Sequence, residues 1–212
     1  MSKVRSMDEL LDKIDDEYSW RFYEIDLIKS LLQQKQGNTK YEQPLSKVLV
    51  VLSYSHWEGF VKYAAGYFFE YMRFLGLSKK QLSDEFLASC IQHLSDGKKC
   101  ADATCEIVKC IKNEEYRFEY NDSVLTSAES NLNYEVLLKI ASNLAIDISP
   151  LDTKKASLDS VVLERRNNVA HGDKIHADYS YGMEVAGHVI DFMQTFKTIL
   201  QNSIATKAYR KQ

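Results

Sequence analysis

Apolar positions along the chain recur at three- and four-residue spacing over long stretches, the period of a helix with one buried face. The first stretch is opened by Ser6-x-x-Glu9, a capping box in which the serine oxygen and the glutamate satisfy orphan amides reciprocally. Leu11, Ile14, Tyr18, Phe22, Ile25, Ile28 and Leu32 follow at helical spacing to near Gln36, and Gly37-Asn38 supplies a stop. Pro44 is expected in the first turn of a second helix that runs to about Leu77. Its apolar load includes Val48, Val51, Leu52, Trp57, Phe60, Val61, Ala64, Phe68, Tyr71 and Leu75. Two helices of this length on a short connection predict an antiparallel hairpin.

A further capping box, Ser78-x-x-Gln81, predicts a third helix through Leu94 with a stop at Asp96-Gly97, and a shorter helix covers Ala101 to Lys112. Residues 113–130 are the least helical part. Tyr116, Phe118 and Tyr120 alternate there and Asn121-Asp122 follows, which predicts a short extended segment or ordered loop. Helix is expected again over Tyr134–Asn143, Thr153–Ala170 and Tyr179–Ala208, the last with the stripe Ala186, Val189, Ile190, Met193, Phe196, Leu200 and Ile204. No internal repeat interrupts this pattern. It predicts an all-α bundle with a long N-terminal helical hairpin, residues 1–212 forming one domain.

Composition agrees with that architecture. Only 8 Gly and 2 Pro occur in 212 residues, few for a protein of strands and tight turns. No apolar run approaches a membrane span, and the first residues lead directly into an amphipathic charged helix, so the expected location is the cytoplasm, with no membrane partner. Cys100, Cys105 and Cys110 recur every five residues, about 140° apart around a helix. They cannot share a face, so they are expected as reduced thiols and not as ligands of a metal. A net charge of -3 argues against a protein that coats nucleic acid non-specifically, but a local site needs only a few cations.

The densest cluster of unusual residues is Leu158-Asp159-Ser160-Val161-Val162-Leu163-Glu164-Arg165-Arg166-Asn167-Asn168-Val169-Ala170-His171-Gly172. At about 100° per residue, Leu158, Val161, Val162, Leu163, Val169 and Ala170 mark one broad apolar arc, and both arginines fall inside it. A guanidinium there requires a carboxylate, a partner surface or a phosphate. Asn167 and His171, four residues apart, share the opposite side. On an ideal helix Arg166 and His171 point about 140° apart, so they converge only if the helix ends or unwinds near His171, where Gly172 offers a stop. Arg-x-x-x-x-His is by itself a short pattern, and a His in a final turn is favourable for dipole reasons alone.

The stretch Glu164-Arg165-Arg166-Asn167-Asn168-Val169-Ala170-His171-Gly172 resembles the signature of the HEPN superfamily, in which an arginine, a polar residue and a short spacer precede a histidine. Its place before a final long helix is similar too. Ser55-His56-Trp57-Glu58-Gly59-Phe60-Val61-Lys62 and Ser130-Asn131-Leu132-Asn133-Tyr134-Glu135-Val136-Leu137 resemble the MAE-type branch of HEPN-like nucleases, so the resemblance covers most of the chain from residue 45 onward. It implies an endoribonuclease that needs neither metal nor other cofactor. His171 would be the general acid/base in attack of a ribose 2'-OH on the adjacent phosphodiester, Arg166 would stabilise the phosphorane, and Asn167 would orient His171 or the phosphate. One His serves both ends of such a displacement poorly, so the site is expected to be completed in a homodimer. An antitoxin or defence-system partner is implied in addition. One HEPN subgroup carries a tyrosine two residues after the His as the target of adenylylation; here that position is Asp173, which argues against regulation by that route.

Outside the motif, Trp57 is expected in the core and Glu58 either on the surface or paired with Arg165 or Arg166. His93, His176 and His188 have no constellation around them, and most of the 13 tyrosines sit on helix stripes as packing residues. Two function classes remain beside the ribonuclease: a non-catalytic HEPN-like module binding RNA, a nucleotide or a protein, and a structural helical adaptor. The adaptor requires the arginine pair to be satisfied internally, by Glu58 or Glu70.

Overall fold

The computed structural model describes residues 3–94, 100–120 and 131–211. Helix α1 spans Met7–Gln34 and α2 spans Thr39–Leu75, and the two pack as the antiparallel hairpin that the apolar stripes predict. Ser6 caps α1 by accepting from the Glu9 N–H at 3.1 Å, while the Glu9 carboxylate reaches back to the N–H of Arg5, one residue beyond the capping-box position. α2 begins earlier than Pro44 suggests. The proline sits in the helix's second turn, where its missing N–H leaves only the carbonyl of exposed Lys40 without a helical partner, open to water. The buried Glu42 carboxylate ties this end together, accepting from the N–H of Gly37 and from that of Tyr179 at 3.2 Å.

The Ser78–Gln81 capping box forms, with the Gln81 side chain accepting from the Ser78 N–H at 3.0 Å. It caps a single 3-10 turn, Lys79–Gln81, and not the expected third helix. Helix α3, Asp84–His93, starts behind a second cap, Ser83, which accepts from the Phe86 N–H at 3.3 Å. The stop expected at Asp96-Gly97 lies outside the described residues. α4 spans Cys100–Lys112 and leads into an extended stretch in which Arg117 bridges antiparallel to Ser78. The remainder of the irregular segment, from residue 121 to 130, also lies outside the described residues. Among those described, the cysteines are free thiols, with Cys90 and Cys110 buried and Cys100 and Cys105 exposed.

α5 spans Tyr134–Leu144, capped by the Asn133 side chain accepting from the Val136 N–H. The helix expected over Thr153–Ala170 is three pieces: a 3-10 turn at Ser149–Lys154, a π-helical stretch at Ser157–Leu163, and α6 at Glu164–Ala170. In the π stretch each N–H reaches one residue further back, so fewer degrees separate successive side chains and a uniform helical wheel loses its phase. Leu158 and Val162, four apart, are the buried positions there. α7 spans Tyr179–Ala205 and ends three residues before the expected Ala208, in turns that carry Arg210 to a bridge with Leu82.

α1, α2 and α7 form the central layer, each packed on the other two. Trp57 is fully buried, its ring 5.8 Å from Phe192 and 6.2 Å from Phe196. α2 and α7 approach so closely at Gly182 that an added Cβ would lie 2.9 Å from the Ser46 carbonyl oxygen. The fold is an all-α bundle in which α2 is the shared wall: α1 covers one side, α7 a second, and α6 a third.

Candidate active site

α6 delivers its adjacent arginines to different neighbours. Arg165 turns to α7, where Nη2 lies 2.7 Å from the Glu184 carboxylate and Nη1 donates to the Tyr181 carbonyl at 3.0 Å. Its guanidinium also covers the Tyr181 ring, 4.5 Å from the centroid. Arg166 turns to α2. Its guanidinium lies 4.0 Å from the centroid of the buried Tyr54 ring, and Nη1 donates to the Asn167 side-chain oxygen at 2.8 Å.

Glu58 stands below this pair but is shared. It forms an ion pair with Lys62 one turn along α2, and its Oε2 is 3.9 Å from Arg166 Nη2. That separation is a charge contact, too long for a hydrogen bond. The expected Glu58 pairing is therefore present for Arg166, loosely, and absent for Arg165, whose carboxylate is Glu184. Glu70, the other internal candidate, pairs with Arg73.

Tyr54 organises the floor. Its hydroxyl accepts from the Leu132 N–H at 2.6 Å, and both residues are 1% exposed. Burial, the largest influence, and the adjacent Glu58 carboxylate outweigh the Leu132 N–H and Arg166, pushing the phenol up to about 12. It remains a neutral phenol. The segment leading into α5 is fixed twice more, by the Tyr134 N–H donating to Asp159 at 2.9 Å and by the Tyr134 hydroxyl on Asp152.

His171 is the C-cap of α6. The Gly172 N–H bonds the Val169 carbonyl at 3.1 Å and the Asp173 N–H bonds that of Asn168 at 3.0 Å, with Gly172 at φ 77°. This Schellman arrangement closes the helix at His171 without unwinding it. The imidazole is exposed, and among the described residues it has no hydrogen bond to Arg166 or Asn167. Asn167 links the two positions, its side chain holding Arg166 and its backbone carbonyl accepting the His171 N–H at 2.9 Å. Arg166, Asn167, Glu58 and Tyr54 are thus gathered, His171 stands at the open end, and Arg165 belongs to a neighbouring contact.

Three other histidines lie apart. His56 is buried between α1 and α2, its ring 5.1 Å edge-on from Trp20; His176 meets Gln43 at 3.2 Å; His188 stacks on Phe192. Among the described residues no group of three or more His, Cys, Asp and Glu side chains gathers as a metal site, and no helix is long and apolar enough to cross a membrane. Sequence reasoning missed Tyr54, Tyr181 and Glu184. Tyr54 adjoins the Ser55–Lys62 stretch, but nothing in its spacing separates it from the other tyrosines on helix stripes.

A helical bundle with a long leading hairpin and an arginine-to-histidine segment on a short helix before the last long one defines a HEPN-type domain. The family model described as HEPN_MAE_28990-like HEPN matches residues 10–209, and the chain belongs to that family. No curated protein and no solved structure matches it.

Proposed function

We propose that the protein is a metal-independent endoribonuclease, with Arg166, Asn167 and His171 forming half of a site that a second copy of the chain completes. The observation that carries this reading is the setting of Arg166. Its near neighbours are neutral, a tyrosine face and an amide oxygen, while the one carboxylate paired with it among the described residues is 3.9 Å away and committed to Lys62. A guanidinium held in place by uncharged groups keeps its charge for an incoming anion.

In the reaction, a ribose 2'-oxygen forms a bond to the adjacent phosphorus as the bond to the 5'-oxygen breaks, leaving a 2',3'-cyclic phosphate. The 2'-OH proton passes to one imidazole, and the departing 5'-oxygen takes a proton from another. Arg166 stabilises the negative charge on the equatorial phosphate oxygens, with Asn167 fixing the guanidinium. The cytoplasm, an RNA substrate, and a toxin-like or phage-defence setting with an antitoxin or defence-system partner complete this reading.

Purified protein is incubated with total RNA in EDTA beside His171→Ala. Cleavage that survives EDTA, yields cyclic phosphate ends and vanishes in the variant supports the nuclease. A well-folded dimer that leaves the RNA intact replaces it with the non-catalytic module that binds RNA, a nucleotide or a protein.

A further inference from the structure

Glu58 lies between two cations that reach it from different helices. Its Oε1 pairs with Lys62 one turn along α2, and its Oε2 faces Arg166 Nη2 of α6 at 3.9 Å. The Tyr54 hydroxyl also neighbours the carboxylate, and the Tyr54 ring underlies Arg166. Taken alone, a glutamate four residues before a lysine is an ordinary helix-surface pair of small energetic weight. What sets this pair apart is Arg166, which brings a second cation to the carboxylate's other oxygen without closing to hydrogen-bond distance.

Two cations on the two oxygens of one anion is the arrangement that the non-bridging oxygens of a phosphodiester would meet. The groups are neither sealed in nor fully solvated. The Lys62 side chain is 34% exposed, and those of Glu58 and Arg166 are 20% and 19% exposed. An entering anion can therefore reach Lys62 from solvent, and salt screens charges in this setting less than it screens them on an open surface. Among the described residues Glu58 is the one carboxylate paired with Lys62, so its withdrawal leaves the ammonium to the newcomer. The charges agree with such an exchange. With Glu58 in place the cluster carries one net positive charge, the match of a phosphodiester; with Glu58 swung out it carries two, the match of a doubly negative phosphorane.

We propose that Lys62 is a second phosphate-binding cation beside Arg166, and that Glu58 holds the place of the phosphate until a phosphodiester of a single-stranded RNA displaces it. The identity of the anion rests on the ribonuclease reading, which calls on Arg166 alone; Lys62 and the displacement of Glu58 go beyond it. The two cations divide the work by their chemistry. The Arg166 guanidinium is fixed by the Tyr54 ring and the Asn167 oxygen, so it supplies direction. The Lys62 ammonium stands on a flexible stem and can trade one anion for another by rotating. Glu58 keeps both cations neutralised in part while the site is empty, and any anion that enters has to outcompete it.

Fluorescence polarisation of a labelled single-stranded 2'-O-methyl RNA octamer with the full chain tests this, because a probe without the 2'-OH stays intact. Circular dichroism checks the folding of each variant. Glu58→Gln is expected to bind about tenfold more tightly than wild type, since the competing charge is gone. Lys62→Gln is expected to bind about tenfold more weakly, with the slope of log affinity against log salt smaller by about 0.7, the loss of one phosphate contact to a single strand. Glu106→Gln and Lys109→Gln, which break a similar ion pair on α4, are expected to bind as wild type does. Should Glu58→Gln unfold, Glu58→Asp, which draws the carboxylate back from both cations, decides with the same expectation. A folded Glu58 variant that binds no more tightly than wild type overturns the proposal. So does a folded Lys62→Gln with unchanged affinity and slope, an equal shift in the α4 variants, or a folded wild type that does not bind the octamer. These shifts without EDTA-resistant cleavage of ordinary RNA sink the nuclease and leave the subsite standing, whereas cleavage that needs His171 but not Lys62 does the reverse.

Discussion

Tyr54→Phe removes one oxygen and isolates the link between the Arg166 platform and the segment that opens α5. The ring is retained, so the surface 4.0 Å beneath the Arg166 guanidinium is unchanged. What disappears is the acceptor for the Leu132 N–H, bonded at 2.6 Å. Tyr54 and Leu132 are each 1% exposed, which leaves the orphaned amide out of reach of bulk water. A buried donor stripped of its partner costs about 1–3 kcal/mol. Glu58 loses a neighbour as well but keeps Lys62, so its share of the loss is small. For a chain of this length each kcal/mol lowers Tm by about 2–4 °C, giving an expected drop of roughly 2–12 °C. Urea unfolding at unchanged slope measures the free energy, and hydrogen exchange at the Leu132 amide reports the bond itself. Exchange there should accelerate, by about tenfold for each 1.4 kcal/mol lost locally. RNA cleavage should stay within a few-fold of wild type, since the ring and not the hydroxyl supports Arg166. A variant as stable as wild type, with the Leu132 amide equally protected, refutes the linkage.

Three further outcomes follow from the packing and the charges. Arg166→Ala is expected to reduce EDTA-resistant cleavage by about a hundredfold or more with Tm little changed, whereas Arg165→Ala, which loses Glu184 and the Tyr181 carbonyl, should cost about 1–2 kcal/mol in urea while retaining most cleavage. Gly182→Ala drives a Cβ to 2.9 Å from the Ser46 carbonyl oxygen and 3.0 Å from its Cα, so urea unfolding should show a loss of about 1–3 kcal/mol from the α2–α7 contact. Burial holds the His56 imidazole below its ordinary 6.5, with Arg21 acting in the same direction and Glu24 opposing both. The unfolded chain therefore takes up the proton first as pH falls: the contribution is whole above about pH 6.5 and is lost as pH drops through the lower folded value. His56→Gln should flatten that limb of a stability–pH curve measured by urea midpoints, and an unchanged limb would assign it to other groups.

The hairpin was legible because α1 and α2 are long enough for their apolar stripes to average out local exceptions. Pro44 illustrates the limit, since its preference for a first turn is weaker than the gain from extending α2 back to Thr39, where Glu42 can cap both Gly37 and Tyr179. The motif helix was legible as a segment and as a place in the chain, and its end at His171 was signalled by Gly172. Its side-chain directions were not. A wheel of uniform pitch puts Arg165 and Arg166 together in one apolar arc, but the π-helical turns at 157–163 shift the phase before either arginine is reached. Tyr54 and Glu184 were invisible for another reason, being ordinary residues on amphipathic helices whose roles arise only once α2, α6 and α7 meet.

The separation of the two arginines bears directly on which of them can do chemistry. Arg165 has a carboxylate at 2.7 Å, a carbonyl and an aromatic face, and a phosphate would have to displace Glu184 to reach it. Arg166 is oriented by an aromatic face and an amide, and its carboxylate contact is already stretched and shared with a lysine. An oriented cation without a close counter-charge is costly in a half-buried position unless an anion is bound there for part of the protein's working life. The same reasoning extends to His171, which α6 delivers to its open end with no partner among the described residues to hold the ring. In the proposed reaction a group that passes protons in line with a phosphate needs a fixed orientation, and the described side chains of its own chain do not supply one. In the proposed ribonuclease, a second copy of the chain would bring both the other imidazole and the surface that orients this one.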